Sequence, residues 1–105
     1  MANHKILKPT GIFDTDNGTK LRQEITNSIA EGFETILIDF TDVSFMNSSG
    51  LGALVASYKT VKTAKANLSL CNLNDQLKII FELTKMDQIF KIFDNPEEFF
   101  KNINN

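Results

Sequence analysis

The chain has one cysteine, one histidine and two prolines in 105 residues. Each scarcity removes a class. A lone Cys71 cannot close an internal disulfide and fits a reducing compartment. His4 and Cys71 lie far apart in the sequence, so they offer no converging set of metal ligands. Two prolines, with no Pro/Gly/Ser-rich linker and no internal repeat, mark no domain boundary. No uninterrupted apolar stretch approaches the roughly 18–20 residues that cross a bilayer. Charge of one sign is also missing. With 11 basic and 13 acidic residues, the formal net charge of -2 gives no electrostatic footprint for direct nucleic-acid binding. The opening "MANHKILKPTG" reaches Pro9 before any apolar run develops, unlike a signal peptide. The expectation is a cytoplasmic protein with no membrane span.

What is present suits a packed globular domain. The chain is 42% hydrophobic and 23% charged, which separates it from disordered chains. Its length fits one domain over residues 1–105, large enough to bury a core without staples. The elements alternate in type. "HKILK" reads as a short strand, and "GIFD" extends its pairing after Pro9. In "NGTKLRQEITNSIAEGF", Leu21, Ile25 and Ile29 recur at steps of four and line one helix face. Asn17 or Thr19 caps its start, and Gly32 ends it. "TILIDF" is nearly continuous in apolar residues, as in a strand covered on both faces. Leu51, Leu54, Val55, Tyr58 and Val61 keep helical spacing, with Lys59, Lys62 and Lys65 largely off that stripe as a solvated face. "NLSLCNL" is a second buried strand. Asn74 starts a helix in which Leu77, Ile80, Phe81 and Thr84 share a face. "QIFKIF" reads as a short strand. "DNPEEFFKNI" reads as a closing helix, capped by Asp94 or Asn95, with Pro96 at its first position. This order argues an α/β sheet with crossover helices.

The chemistry concentrates in "FMNSSGLGAL", at a strand-to-helix junction. A serine nucleophile needs a base within hydrogen-bond reach. The one histidine, His4, reads as a solvated terminal residue, and "MNSSG" is not G-x-S-x-G. "GLGAL" is not a dinucleotide fingerprint, because Val55 occupies the third glycine position. The acidic pairs Asp14/Asp16 and Glu97/Glu98 fall at a turn and a helix start, where acids suit the helix dipole. Cys71, inside an apolar strand, reads as a small core residue. No catalytic site and no cofactor or metal site emerges, so the chain does not read as an enzyme. Capping by Asn47 or a serine explains one polar side chain at the junction. It leaves unexplained the second serine, and Gly50 and Gly52 just inside a helix, where each glycine costs about 1 kcal/mol against alanine. Bare helix surface beside an exposed hydroxyl would be accessible to another protein.

From about Gly11 onward the chain resembles the bacterial anti-sigma factor antagonists, the STAS domain family. The core of the resemblance is "ILIDFTDVSFMNSSGLGALVASYKTVKTAKANLSLCNL", which looks like that family's apolar strand followed by D-S-S-G-L-G at a helix start. "GIFD" resembles its upstream G-E-L-D. The resemblance implies a mixed β-sheet of about four strands, with about four helices packed mainly on one side. It also implies a switch. The unphosphorylated protein binds an anti-sigma factor that is also a serine kinase, the kinase phosphorylates the first serine, and a serine phosphatase reverses it. The acceptor implied here is Ser48, with Ser49 as runner-up. Asp14, Asn47, Ser49, Gly50, Leu51 and Gly52 become the partner-binding residues, with Gly50, Leu51 and Gly52 as the contact ridge. Two features depart from the pattern. Asn47 replaces an aspartate, and the region before "GIFD" is short, which leaves the sheet edge missing or paired differently, for example in a homodimer. The alternative reading is a ligand-binding or scaffold module in a sensory complex, without phosphorylation. Phosphate adds about -1.5 to -2 charge, which a helix N-terminus favours. The switch would therefore act at the surface, against an acidic or apolar partner patch.

Overall fold

The structure is a computed structural model that describes residues 3–103; Met1 and Ala2 of the opening segment lie outside them. The strands are β1 (His4–Leu7), β2 (Gly11–Phe13), β3 (Thr35–Asp39), β4 (Val43–Met46), β5 (Asn67–Cys71) and β6 (Lys91–Phe93). The helices are α1 (Thr15–Ala30), α2 (Ser48–Thr63), α3 (Asp75–Leu83) and α4 (Pro96–Ile103), with a short 3-10 turn at Met86–Gln88.

The α/β class, the four-stranded sheet and the four helices agree with the sequence reading. The strand directions do not: the sheet β1-β3-β5-β6 is parallel at every pairing rather than mixed. The cause is connectivity. A helix lies between each strand of this sheet and the next, and such a crossover returns the chain in the same direction. β1 forms the sheet edge beside β3, so that edge is present despite the short N-terminal region.

"GIFD" does not extend the first strand's pairing. β2 pairs instead with β4, in parallel, as a separate two-stranded sheet. Gly11 makes the break, with φ +81 and a register shift between Gly11 and Ile12. Few residues but glycine adopt that backbone without cost.

The sheet buries both faces, as the apolar run at β3 predicts. Ile36 and Ile38, with Leu68 and Leu70 of β5, pack against Leu21 and Ile25 of α1, Leu51, Leu54 and Val61 of α2, and Leu77 and Phe81 of α3. Leu37 and Cys71 point the other way, as strand alternation requires, and pack with Phe99 of α4. Three helices therefore cover one face and α4 the other.

Several local expectations change. Asp14 caps α1, accepting from the Asn17 N–H at 3.0 Å, so neither Asn17 nor Thr19 is the cap. The helix begins earlier than the apolar pattern shows, because Thr15 and Asp16 face solvent. Gly32, at φ +98, follows its end as expected. Asn74 caps α3. Thr84 is exposed rather than part of the α3 apolar face, and its hydroxyl donates to the Ile80 carbonyl at 2.7 Å. Of "QIFKIF", only Lys91–Phe93 is strand. Asn95 takes the cap of α4, accepting from the Glu98 N–H at 2.9 Å, while the Glu98 carboxylate accepts from the Asp94 N–H at 3.0 Å. His4 is not a loose terminal residue. It is half-buried in β1, with its ring edge-on to Phe99 and Phe100 at centroid distances of 6.1 and 5.1 Å.

Candidate functional site

The small sheet sets the geometry of the site. β2 and β4 run parallel, with Phe13 opposite Met46. The next residue of each strand is a helix cap, Asp14 for α1 and Asn47 for α2. Two helices thus start side by side at one end of the sheet. The Asn47 N–H donates to the Phe13 carbonyl at 3.3 Å, and the Asn47 side-chain oxygen accepts from the Gly50 N–H at 2.8 Å. One asparagine therefore ties both helix starts together.

Ser48 and Ser49 are the first two residues of α2, and both are exposed. Because Asn47 supplies the cap, neither hydroxyl is needed for it. Helix N-termini favour negative charge by about 0.3–1 kcal/mol at exposed sites, so this position can carry an anion without cost to the helix. His4 packs against α4, away from the helix starts, and supplies no base to either serine.

The expected contact ridge is only partly at the surface. Leu51 is 5% exposed and belongs to the core. Gly50 is buried, and a methyl on it would come within 2.0 Å of the Phe13 carbonyl oxygen. Gly18 of α1 is similarly close-packed, 2.4 Å from the Ala53 side chain by the same measure. These two glycines let α1, α2 and β2 approach one another. Gly52 is different: it is exposed, with open space where a side chain would project. The accessible surface is therefore Ser48, Ser49 and Gly52, flanked by half-buried Asp14 and Asn47.

On its other edge β4 meets side chains rather than a strand. The Gln76 amide closes a two-way pair with Met46, accepting from its N–H and donating to its carbonyl, both at 2.8 Å. Asn74 donates to the Val43 and Ser44 carbonyls at 3.1 and 3.3 Å. The start of α3 is thus stitched to the strand that delivers Asn47 and Ser48. Between them runs an open groove of about 580 Å³, lined on one side by Phe45, Met46, Asn47 and Ser48, and on the other by Gln76, Ile79, Ile80 and Leu83. Phe45, Ile79 and Leu83 are 47%, 56% and 80% exposed.

Sequence reasoning missed Gln76 and the groove. The signal was available in α3. Ile79 and Leu83 are apolar yet off the stripe of Leu77 and Phe81, so the helix carries a second apolar face that the core does not use.

Two ionisable groups behind the site are shifted. Burial pushes Asp39 up, but hydrogen bonds from the Thr41 hydroxyl, Asn72 and the Thr41 N–H, with the Lys8 charge, outweigh it and hold the carboxyl below its usual value. Burial, with the charges of Asp39 and Glu97, pushes the Cys71 thiol up to about 12. Such a thiol stays protonated at neutral pH and is a poor nucleophile, as the core reading requires. Among the described residues, no group of three or more His, Cys, Asp or Glu side chains could hold a metal ion, and no helix is long and apolar enough to cross a membrane.

The geometry has counterparts among known proteins. The family model described as the STAS domain matches residues 2–99. The anti-sigma-B factor antagonist of Listeria monocytogenes is 32% identical over 92 residues, covering 87% of this chain and 80% of that protein. The anti-sigma-B factor antagonist of Bacillus subtilis is 34% identical over 82 residues, covering 78% and 74%. In fold, the chain is similar to the anti-sigma factor antagonist SpoIIAA in its unphosphorylated form, with a TM-score of 0.73 at 20% identity over 100% of this chain and 93% of that one. SpoIIAA from Bacillus in its phosphorylated form gives 0.69 at 20% identity, over 96% and 92%.

Proposed function

Because the chain belongs to the STAS domain family, we propose that it antagonises an anti-sigma factor and that reversible phosphorylation of Ser48 switches it. The observation that carries this reading is the division of labour at the start of α2. Asn47 caps the helix, which leaves the Ser48 hydroxyl exposed and uncommitted at a site that tolerates negative charge. The naming of relatives as anti-sigma-B factor antagonists supports the partner class. The existence of a fold relative in phosphorylated and unphosphorylated forms supports the modification.

In this reading the unphosphorylated protein binds an anti-sigma factor that is also a serine kinase. The kinase transfers the γ-phosphoryl group of ATP to the Ser48 oxygen, ADP leaves, and the hydroxyl proton is lost. A serine phosphatase hydrolyses the phosphoester and restores binding. The chain acts as a cytoplasmic binding protein rather than an enzyme. Asp14 and Asn47 shape the acceptor's surroundings, and Ser49 and Gly52 complete the exposed contact surface. Incubation with the cognate kinase and ATP should add one phosphate, which Ser48→Ala abolishes and Ser49→Ala does not. Equal labelling of wild type and Ser48→Ala would reject the assignment.

A second reading rests on Asn47, which lacks the negative charge of the aspartate usual in the family. It describes an unphosphorylated ligand-binding or scaffold module. Saturable nucleotide binding, with no phosphate transfer by any kinase of the source cell, would favour it.

A further inference from the structure

We propose that the cavity at the end of the large sheet remote from Ser48 is a binding site for a small phosphate monoester with an apolar body. The cavity exists because β6 is short. It pairs only with Ser69, Leu70 and Cys71, so Asn67 and Leu68 of β5 run on with no strand beside them. A cavity of about 320 Å³ opens there, walled by the second half of α2, by β5, by the start of β6 and by the end of α4. Ser48 opens α2 and Lys62 lies near its close, about 20 Å away at the usual helical rise. The site is therefore separate from the acceptor, and it stands whether or not Ser48 is modified.

The donors in this cavity lack acceptors. Asn67 turns its N–H toward β3 and donates to the Glu34 carbonyl at 2.8 Å. Backbone groups alternate between the two edges of a strand, so the Leu68 N–H faces the gap that β6 leaves. No hydrogen bond among the described residues engages it. Leu68 is buried, and a buried N–H without an acceptor is rare. Lys62 and Lys91 stand exposed at the mouth. The only ion pair among the described residues is Lys8–Asp42, so neither ammonium is matched by a carboxylate. Lys62 rests over the Tyr58 ring instead, 5.8 Å from its centroid. Ser69, 4% exposed, also lines the cavity with its hydroxyl. No acidic side chain lines it, although the chain is net acidic.

The chemistry of the lining selects the ligand. Ammoniums and a backbone N–H donate and cannot accept, so their complement is an anion. A phosphate monoester carries about -1.5 to -2 charge near neutral pH, with three acceptor oxygens on one centre. It can meet two ammoniums and an amide at once, and lysine serves phosphate as a point charge. A carboxylate brings a single charge and two oxygens. Val61, Leu68, Ile89 and Ile103 make the rest of the wall apolar, a surface that a bare inorganic ion leaves unused. The volume is at the lower end for ligand cavities, which limits the body to about one ring.

The test is titration of the isotope-labelled full chain with phenyl phosphate, followed by amide NMR. The Leu68 and Ser69 amides should shift and saturate. Affinity should fall at least tenfold when Lys62→Met and Lys91→Met are combined, since methionine keeps an apolar stem and removes the charge. Both lysines are exposed, so this variant should keep the wild-type spectrum away from the cavity. Lys59→Met removes the same charge from the same helix outside the cavity and should leave affinity within twofold. Benzoate has the ring with one charge, and inorganic phosphate has the head without a body. Each should bind at least tenfold more weakly than phenyl phosphate. Four results overturn the proposal. No saturable shift at Leu68 and Ser69 removes the site. Benzoate binding as tightly as phenyl phosphate removes the phosphate. Inorganic phosphate binding as tightly leaves an adventitious ion only. A loss in Lys59→Met as large as in the double variant reduces the effect to general attraction by the basic face of α2.

Discussion

Replacing Gly50 by alanine adds one methyl group to a helix, where alanine is ordinarily the better residue by about 1 kcal/mol. The structure gives the opposite sign. That methyl would stand 2.0 Å from the Phe13 carbonyl oxygen and 2.7 Å from its carbonyl carbon. Both atoms are main chain, pinned by the hydrogen bond from Asn47 and by the β2–β4 pairing, so neither can rotate away. Relief requires α2 to move off β2. Overpacking of this kind costs about 1–3 kcal/mol and sometimes more, and an immobile obstacle puts Gly50 at the upper end. After subtracting the propensity gain, the net loss is about 2 kcal/mol. Gly52 lies two residues further along the same helix and is the internal control. Nothing approaches its projected side chain, so Gly52→Ala should gain up to about 1 kcal/mol. At about 4–8 °C per kcal/mol for a domain near this size, thermal melts should show Gly50→Ala about 8–16 °C below wild type. Gly52→Ala should lie a few degrees above it. A Gly50→Ala protein as stable as wild type would refute the close-approach argument. Two substitutions of the same sign and size would show that helix propensity alone governs both positions.

Two further outcomes follow from the hydrogen-bonding around the site. Gln76→Leu keeps the side-chain volume but strips both partners from Met46, at about 1–3 kcal/mol for the pair. Urea unfolding should show that loss, and the Met46 amide should exchange faster than those of β3; an unchanged Met46 amide would dismiss Gln76 as the strut of β4. Asp39, held below its usual value, stabilises as a carboxylate above its unfolded pKa of about 3.9. That contribution is lost as pH falls through the lower folded value. Asp39→Asn should therefore cost about 1–2 kcal/mol at pH 7, with the gap to wild type closing below about pH 4; a gap independent of pH would mean that shape, not charge, is what Asp39 supplies.

The large sheet was legible because β3 and β5 are runs of apolar residues covered on both sides, a pattern carried by the residues themselves. The cap at Asn74 was legible for the same local reason, and Asn47 was legible as one candidate beside the two serines. β4 was not. Its four residues place only Val43 and Met46 inward, which is no alternation. Its neighbours are β2, far upstream, and the side chains of Asn74 and Gln76, 30 residues downstream. Nothing local announces such a strand. The glycines make the same point. Gly50 and Gly52 are indistinguishable in sequence, and reading both as bare surface was right only for Gly52. What separates them is Phe13, which pairing across β2 and β4 brings beneath one and not the other.

The arrangement also bears on what Asn47 changes in the proposed switch. Asparagine and aspartate cap helices about equally well, so the substitution leaves the start of α2 intact and removes only a charge. Fixed by the Gly50 contact, the core side chain of Leu51 and the Asn47–Phe13 bond, that start has little freedom to move when a phosphate arrives. The first-turn amides favour the added charge, so it does not melt the helix either. Its effect must then be felt outward, on whatever occupies the neighbouring surface. An aspartate at 47 would already place a charge beside Ser48 before any modification. An asparagine leaves residue 47 neutral, and the phosphate adds the same charge whichever residue stands there. On this reading Asn47 does not disable the switch; it shifts both of its states by one charge and leaves the step between them unchanged.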